Sequence, residues 1–341
     1  MNMPTSLRPT EPEGRNMFLP QMGQFRNAII FSSWIIGISA VGGETPTTCP
    51  SAPNSDAKTL RRLARTAQPD RGFLWEISKN GRRSFLYGTV HVAKLEWDFP
   101  GPTIKAALNA SQQVAVELDL TDPALAKRLN EQGRELAEKS RTWLAPAKLE
   151  NLAERLRVQF RRPCLDEAGF GDATLGSKAT SLSLLSARDE GLYPEQAIDA
   201  ALVGFARATG KNVIELETPG EQAYALGGDP ESVEREIERL ESGEARTELI
   251  KLTSAWAAGD FPVIEGYFSW CHCAQDQAEI RRQLGDRNAV LAERLAYTYE
   301  TQEGVFAAIG VLHMIGPESV VERLRSLGYS VLQSTTLSAK P

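Results

Sequence analysis

Two of the three histidines in this sequence end the same short pattern. His91 closes the segment Gly88-Thr89-Val90-His91, and His313 closes Gly310-Val311-Leu312-His313. In both cases an apolar run that predicts a β-strand leads into the glycine, and the imidazole follows three residues later. Because ligands of α/β sheets bind at the carboxyl ends of the strands, the pattern predicts that the two imidazoles converge on one site.

A carboxylate is predicted at the same edge of the sheet. Glu117 lies in the apolar segment 114–118, where a charge is costly unless it is paired or bound to a metal. Two histidines and one carboxylate are a common ligand set for a catalytic divalent ion. Such an ion would lower the pKa of water towards about 7 and polarise a carbonyl group. The residues therefore predict a site for Zn, Mn or Co formed by His91, His313 and Glu117.

Two further charged residues are candidates for the chemistry. Glu217 follows the predicted strand 212–216 and could act as a base or as a further ligand. Arg287 lies in Asp286-Arg287-Asn288 at a predicted helix start and is a candidate for stabilising an oxyanion. Each candidate also has a structural alternative: a hydrogen-bonded core histidine, a carboxylate paired across the sheet, or a surface ion pair at a helix N-terminus, despite the helix dipole.

The segments around these residues indicate an α/β fold. Six apolar segments predict strands: 73–77, 84–87, 114–118, 212–216, 305–309 and 329–332. Helical segments are predicted at 102–111, 122–208, 219–301 (with interruptions) and 317–327. Lys79-Asn80-Gly81 joins the first two strands as a hairpin. Strands separated by helices predict a mixed, largely parallel central sheet flanked by helices.

Composition and charge narrow the class of protein. The chain has 341 residues, of which 42% are hydrophobic and 24% charged, so it can bury a core of ordinary globular size. Its net charge of −6 excludes nucleic acid as the main partner, because phosphate binding requires a basic field. We expect a linker and short helix at 44–70, one domain at 71–335 and a tail at 336–341.

The N-terminal segment predicts export. Residues 28–43 read AIIFSSWIIGISAVGG, with Arg26 before them and Glu44 after them. This pattern is typical of a secretory signal peptide within residues 1–43, and Met22 is an alternative start. The other interpretation is an uncleaved anchor, since the apolar stretch approaches the roughly 17 residues that span a bilayer. We therefore expect a periplasmic or secreted protein, which would contact a membrane only through this segment if it stays uncleaved.

The four cysteines fit that compartment. Cys49, Cys164, Cys271 and Cys273 are an even set, which in an exported protein predicts two disulfides of undetermined connectivity. The alternative is a metal site at Cys271-His272-Cys273. Its spacing is not that of structural zinc sites, and no second cysteine pair follows. Disulfides are therefore the favoured interpretation.

Six motifs together resemble a known family. They are F-L-Y-G-T-V-H-V (85–92), V-A-V-E-L-D (114–119), A-I-D-A-A-L (197–202), L-E-T-P-G-E-Q (216–222), D-R-N-A-V-L-A-E-R (286–294) and A-I-G-V-L-H-M-I-G-P (308–317). In this order, over about residues 71–332, they resemble the TraB/GumN family, which is related to the Tiki metalloproteases. The chain departs from many relatives in having Ala-Ile-Asp199 where they have Gly-Ile-Asp.

The resemblance carries expectations about fold and site. It implies an α/β fold shared more distantly with erythromycin esterase and haem-binding ChaN-like proteins. In Tiki-type members the two G-x-x-H histidines and the strand-borne glutamate are the suspected metal and catalytic residues, and they correspond to His91, His313 and Glu117. The arginine of the family's R-N motif corresponds to Arg287.

The sequence thus favours a metal-dependent hydrolase that acts on peptide or other acyl bonds in the cell envelope. The expected partner is a peptide or small acyl substrate. Two alternatives remain open. One is a non-catalytic protein that sequesters a peptide or haem, and the other is a metal-free, esterase-like hydrolase in which one histidine is the general base.

Overall fold

The computed structural model describes residues 56–140, 144–161, 165, 167–171, 173–271 and 277–334. The predicted signal segment 1–43, most of the linker, the tail 336–341, His272 and three cysteines (Cys49, Cys164 and Cys273) lie outside the described residues. Cys271 is buried and is not a free thiol, whereas the predicted pairing of the cysteines stays a prediction. In the described part of the chain, no helix combines the length and apolarity needed to cross a bilayer.

A six-stranded sheet forms the centre of the described residues. Its strands are β1 (Phe73–Lys79), β2 (Arg82–Thr89), β3 (Gln113–Val116), β4 (Asn212–Glu215), β5 (Val305–Gly310) and β6 (Ser330–Gln333). They lie in the order β4-β3-β5-β2-β1-β6. The neighbours β4, β3, β5 and β2 are parallel, and β1 runs antiparallel to both β2 and β6. All strands except β1 therefore run in one direction, which confirms the predicted mixed, largely parallel sheet.

The β1–β2 hairpin forms where the sequence predicts it. Asn80 and Gly81 connect the strands with φ values of 53° and 76°, the left-handed region that a two-residue hairpin turn requires. Asparagine and glycine adopt this region at low cost. The turn sets the register, with Lys79 opposite Arg82 and Phe73 opposite Gly88. The first G-x-x-H motif is thereby held at the end of β2.

Helices cover the sheet and form a separate layer beside it. They are α1 (Ala57–Arg65), α2 (Pro102–Ala110), α3 (Leu125–Ser140), α4 (Pro146–Arg161), α5 (Leu175–Leu185), α6 (Ile198–Ala208), α7 (Pro219–Gly227), α8 (Pro230–Ser242), α9 (Glu244–Ala258), α10 (Phe261–Glu265), α11 (Tyr267–Trp270), α12 (Gln277–Ile280), α13 (Asp286–Thr301) and α14 (Val320–Ser326). The second predicted helical block is divided into several helices, and the last helix begins three residues after Pro317.

Two hydrophobic cores hold these layers together. The main core lies against the sheet, where β5 and β3 are buried on both faces, as their continuous apolar runs require. A second core joins α4, α5 and α8 around Leu156, Leu182 and Ile237. Helices α5, α7, α8 and α9 contact one another, so they form a helical roof. The roof stands over the carboxyl ends of the parallel strands, where the predicted site residues lie.

Candidate active site

The three predicted ligands follow the carboxyl ends of three adjacent strands. Glu117 is the first residue after β3, His91 is the second after β2, and His313 lies in a 3₁₀ turn, Val311–Met314, directly after β5. Because β5 lies between β3 and β2 and is parallel to both, these strand ends meet at one edge of the sheet. Residues as far apart in the sequence as His91 and His313, 222 positions, are thereby brought to one place.

The side chains converge on Gly310. The point where a Cβ atom would stand on this glycine lies 3.3 Å from Glu117 Oε1, 3.4 Å from His91 Nε2 and 3.5 Å from His313 Cδ2. Separately, His313 Nε2 lies 3.8 Å from Glu117 Oε1. The absence of a side chain at Gly310 therefore leaves room between three groups that can bind a metal or transfer protons.

His313 is held as a neutral imidazole. Its ring is 3% exposed, and its Nδ1 lies 2.6 Å from Asn288 Oδ1. The Asn288 amide donates through Nδ2 to the Glu318 carbonyl at 3.0 Å, so its oxygen faces the ring and accepts the Nδ1–H. This leaves a lone pair on Nε2, on the side of Glu117. Burial, followed by the charge of Arg287, lowers the pKa of His313 to about 3.

His91 has a charged partner instead of a neutral one. Its Nδ1 lies 3.1 Å from Asp199 Oδ2, and the Thr89 hydroxyl donates to Asp199 Oδ1 at 2.9 Å. Burial acts to lower the pKa of His91, but the charge and hydrogen bond of Asp199 outweigh it and raise that pKa to about 9. The side chain is 45% exposed, so the ring can exchange protons with solvent.

Glu117 is a buried, ionised carboxylate. Its Oε1 accepts the Gly310 N–H at 2.7 Å, and its Oε2 accepts hydrogen bonds from Gln222 Nε2 and Arg287 Nη2, both at 3.0 Å. Burial acts to raise the pKa of Glu117. The positive charge of Arg287 and the neighbouring imidazoles outweigh burial, so the pKa lies well below its usual range.

Arg287 joins Glu117 to Glu217. It forms a two-point ion pair with Glu217, with distances of 2.7 Å from Nε to Oε1 and 2.6 Å from Nη2 to Oε2. Its Nη1 also donates to the Gln283 carbonyl at 2.9 Å. Burial raises the pKa of Glu217, although the Arg287 hydrogen bonds oppose that shift. Since four of its five N–H groups are used in this way, the first role of Arg287 is to hold two buried carboxylates.

These residues open into a cavity beneath the helical roof. It has a volume of about 260 Å³ and is lined mainly by apolar atoms. His91, Glu117, Arg287 and His313 line it together with residues of α5, α7, α8 and α9. Small-molecule sites usually combine a mainly apolar cavity with a few polar side chains, and this cavity has both.

The donor set suits a divalent ion in type and orientation. Both imidazoles use Nδ1 for a partner outside the centre and direct Nε2 inward, as metal-binding histidines commonly do. His91 Nε2 and Glu117 Oε1 lie beside the space at Gly310, and His313 Nε2 lies 3.8 Å from that oxygen. Two imidazole nitrogens and a carboxylate oxygen match the preferences of zinc and its neighbours. Among the described residues, however, no three His, Cys, Asp or Glu side chains are arranged to hold an ion as they stand.

Sequence reasoning missed the residues that orient this centre. Asp199, Asn288 and Gln222 were not predicted as site residues, yet each contacts a predicted one. A signal was present, because Asp199 is an acidic residue inside the apolar motif 197–202 and Asn288 directly follows Arg287. All five predicted residues lie together, whereas their catalytic and metal-binding roles stay predictions.

Comparisons with known proteins agree with this architecture. The model of the TraB/PrgY/gumN family matches residues 73–333. A curated relative, described as "Metalloprotease TIKI1" from Danio rerio, is 43% identical over 67 residues, or 19% of this chain. The chain spans only 13% of the length of that relative. No solved structure matches the chain.

Proposed function

We propose that this chain, which belongs to the TraB/PrgY/gumN family, is a hydrolase that cleaves peptide or other acyl bonds with a divalent metal ion. The observation that carries the proposal is the meeting of His91, His313 and Glu117 around the space at Gly310. The metalloprotease name of the partly matching relative supports the use of a metal.

In this proposal His91, His313 and Glu117 hold the ion, which is zinc, manganese or cobalt. When bound, such an ion supplies Lewis acidity towards an acyl oxygen and makes water a better nucleophile near neutral pH. His313 is already in the protonation state that metal binding requires, because Asn288 fixes the tautomer in which His313 Nε2 is unprotonated. His91 can release its proton to solvent because its ring is half exposed.

Arg287 and Glu217 support the reaction next to the proposed ligands. Arg287 offsets the negative charge of two carboxylates that burial would otherwise penalise, and it fixes the direction of Glu117. Its one N–H without a partner among the described residues can donate to a developing oxyanion. Glu217 is the candidate for proton transfer, because burial makes it hold a proton more readily than an ordinary glutamate does.

A second candidate is a metal-free hydrolase, which the His91–Asp199 pair favours. A half-exposed imidazole whose Nδ1–H points at a buried carboxylate has the geometry of a general base and its orienting partner. Thr89 holds that carboxylate from its other oxygen. In this mechanism His91 removes a proton from water once it is itself deprotonated, which its pKa of about 9 places at alkaline pH, and the other groups stabilise the charge that develops on the acyl oxygen.

The two candidates are separated by one set of assays. Purified protein is analysed for bound metal and incubated with a library of peptides and esters, with and without a chelator, and product is followed over time. We expect turnover that the chelator abolishes and that added zinc, manganese or cobalt restores. Turnover that resists the chelator and disappears in Asp199→Asn would establish the metal-free mechanism instead.

Matched variants locate the activity. Glu117→Gln removes one charge from the proposed centre and should abolish turnover and reduce bound metal. Glu215→Gln removes the same charge at the end of the neighbouring strand β4, where the carboxylate pairs with Arg128, and should leave both unchanged. Persistent turnover and metal content in Glu117→Gln and in His313→Ala would remove the basis of the proposal. Binding of a peptide or haem without turnover would indicate a sequestering protein.

We also propose that the protein works outside the cytoplasm, in the periplasm or as a secreted protein. The apolar segment 28–43 and the even set of cysteines, which we predict to form disulfides, support this location. N-terminal sequencing of the protein recovered from cell-envelope fractions should give a start near residues 40–43. Recovery of the intact chain from the cytoplasm would contradict it.

A further inference from the structure

The cavity at the candidate centre is lined by residues of two hydrophobic clusters. Leu184 and Leu249 line it and pack against a small cluster that includes Val92. Leu252 and Leu312 also line it and pack against the main core. The side chains of the described residues leave about 260 Å³ between them at this place. Because close-packed interiors contain few voids larger than a water molecule, a space of this size beside reactive groups is suited to a ligand.

The apolar lining begins directly at the reactive residues. Val90 and Val92 flank His91 in the chain, and all three line the cavity. Leu312 directly precedes His313, and both line the cavity as well. An apolar group that enters the cavity would therefore lie next to a bond held at the two imidazoles.

The helical roof adds apolar side chains and no net charge. Leu249 and Leu252 are three residues apart on α9, so they lie on one side of that helix. Arg239 and Glu248 also line the cavity, and they form an ion pair with each other. Because their charges offset each other, this part of the lining favours an uncharged group over a charged one.

The volume of the cavity sets the size of the group that it can take. An apolar cavity of roughly 150 Å³ holds a benzene molecule, so by the same ratio 260 Å³ holds about ten non-hydrogen atoms. That is the size of the largest natural side chain, the indole of tryptophan. A methyl group such as that of alanine would leave most of the apolar lining in contact with water, which is unfavourable.

We propose that this cavity is a specificity subsite for a large apolar side chain, carried by a peptide residue next to the cleaved bond. Its place beside a cleaved bond rests on the proposed function. The preference for a large apolar side chain follows from the volume and the lining of the cavity alone.

Four uncharged probes test the subsite without requiring turnover. They are the N-acetyl amides of alanine, glutamine, leucine and tryptophan, which share a peptide-like backbone and differ only in the side chain. Their Kd values for the purified chain are measured by ligand-observed NMR titration. We expect the tryptophan probe to bind at least about tenfold more tightly than the alanine probe, with the leucine probe between them. The glutamine probe is large but polar, so it should bind no more tightly than the alanine probe.

Matched variants assign this preference to the cavity. Leu249→Trp fills the cavity with an indole ring and should reduce the ratio of the alanine and tryptophan Kd values to about threefold or less. Leu332→Trp makes the same change on β6, where the side chain is 64% exposed, and should leave the ratio unchanged. If near-UV circular dichroism shows that Leu249→Trp does not fold, Leu249→Asn replaces it, with Leu332→Asn as its control. Asparagine is close to leucine in size but polar, so Leu249→Asn should lower the ratio by about threefold.

The outcomes separate the subsite from the reaction. The expected order of affinities, together with no turnover of any peptide or ester, would support the cavity as a binding site for the side chain and overturn the hydrolase. Turnover of peptides regardless of whether a large apolar residue flanks the cleaved bond would support the hydrolase and overturn the subsite. Equal binding of the alanine and tryptophan probes, or no binding of any probe, would overturn the subsite. The same preference in the folded Leu249 variant as in the unchanged chain would also overturn it.

Discussion

Gly310→Ala is the most direct test of the candidate centre. The backbone of Gly310 has φ −52° and ψ 134°, a conformation that alanine adopts without strain. The added methyl group would stand 3.3 to 3.5 Å from atoms of Glu117, His91 and His313. Metal–ligand bonds of about 2.1 Å need the space between those atoms, and so does a water molecule in a metal-free mechanism. The substitution therefore fills the reactive space while the surrounding side chains stay in place.

The expected cost in stability is small. Contacts at these distances are close but near ordinary van der Waals separation, so crowding should cost about 1–3 kcal/mol at most. Replacing glycine by alanine also reduces the entropy of the unfolded chain, which offsets about 0.4–1 kcal/mol. The net change is about 0–2 kcal/mol, which corresponds to a fall in Tm of at most about 8 °C for a domain of this size.

The loss of function should be much larger than the loss of stability. We expect bound metal to fall to background and kcat/KM for any cleaved library substrate to drop at least about a hundredfold. Gly88→Ala is the matched control from the other G-x-x-H motif. Its methyl group would meet Val311 Cγ2 at 3.1 Å and Val311 Cα at 3.3 Å, so it should lower Tm at least as much. It adds no atom between the three donors, and metal content should be retained.

Mass spectrometry for metal, steady-state kinetics and thermal unfolding of both variants decide the question. The reasoning fails if Gly310→Ala keeps its metal and its kcat/KM within about twofold of the unchanged chain. It also fails if Gly310→Ala and Gly88→Ala lose activity equally, because activity would then follow stability and not the occupied space.

Two further predictions concern charges at the centre. In the metal-free protein, Asp199→Asn should lower the pKa of His91 from about 9 to its ordinary value of about 6.5 or below, which an NMR titration measures. The raised pKa of His91 stabilises the folded state below about pH 6.5, and this contribution is lost as the pH rises through about 9. The variant should therefore lose this pH dependence of the free energy of unfolding. Because the ring is half exposed, the effect should be about 1 kcal/mol at most. An unchanged pKa would show that Asp199 does not set the charge of His91. Arg287→Met leaves two buried carboxylates unpaired and should destabilise the fold by about 3–5 kcal/mol in denaturant unfolding. The exposed Arg281→Met should leave the free energy of unfolding nearly unchanged. Equal effects of the two arginine substitutions would contradict the structural role given to Arg287.

The sequence was sufficient for the sheet and for the two histidine motifs because the relevant signals are local. Asn80-Gly81 predicts a tight hairpin, and continuous apolar runs such as 305–309 predict strands buried on both faces. A residue directly after a parallel strand has to lie at the carboxyl edge of the sheet. That rule, together with the spacing of the two G-x-x-H motifs and the position of Glu117 late in its predicted strand, predicted that the three residues lie close together, and their side chains surround Gly310.

The partners of those residues could not be derived in the same way. Asp199 comes from α6 and Asn288 from α13, and their approach to the histidines depends on how each helix packs on the sheet. Arg287 was predicted to stabilise an oxyanion, whereas most of its N–H groups are used by two carboxylates. Which acceptors the N–H groups of an arginine bind depends on side-chain positions that differ by a few tenths of an ångström.

The sequence by itself determined the strand order along the chain, the glycine that leaves space at the centre and the types of group that surround it. Only the tertiary structure decided which imidazole is charged, which carboxylate is held by Arg287, and that a roof of α5, α7, α8 and α9 closes a mostly apolar cavity over the centre. The physical reason is the distance along the chain over which each effect acts: strand propensity and turn geometry act over a few residues. Ion pairs and hydrogen bonds at the centre join residues that the chain separates by 70 to 193 positions.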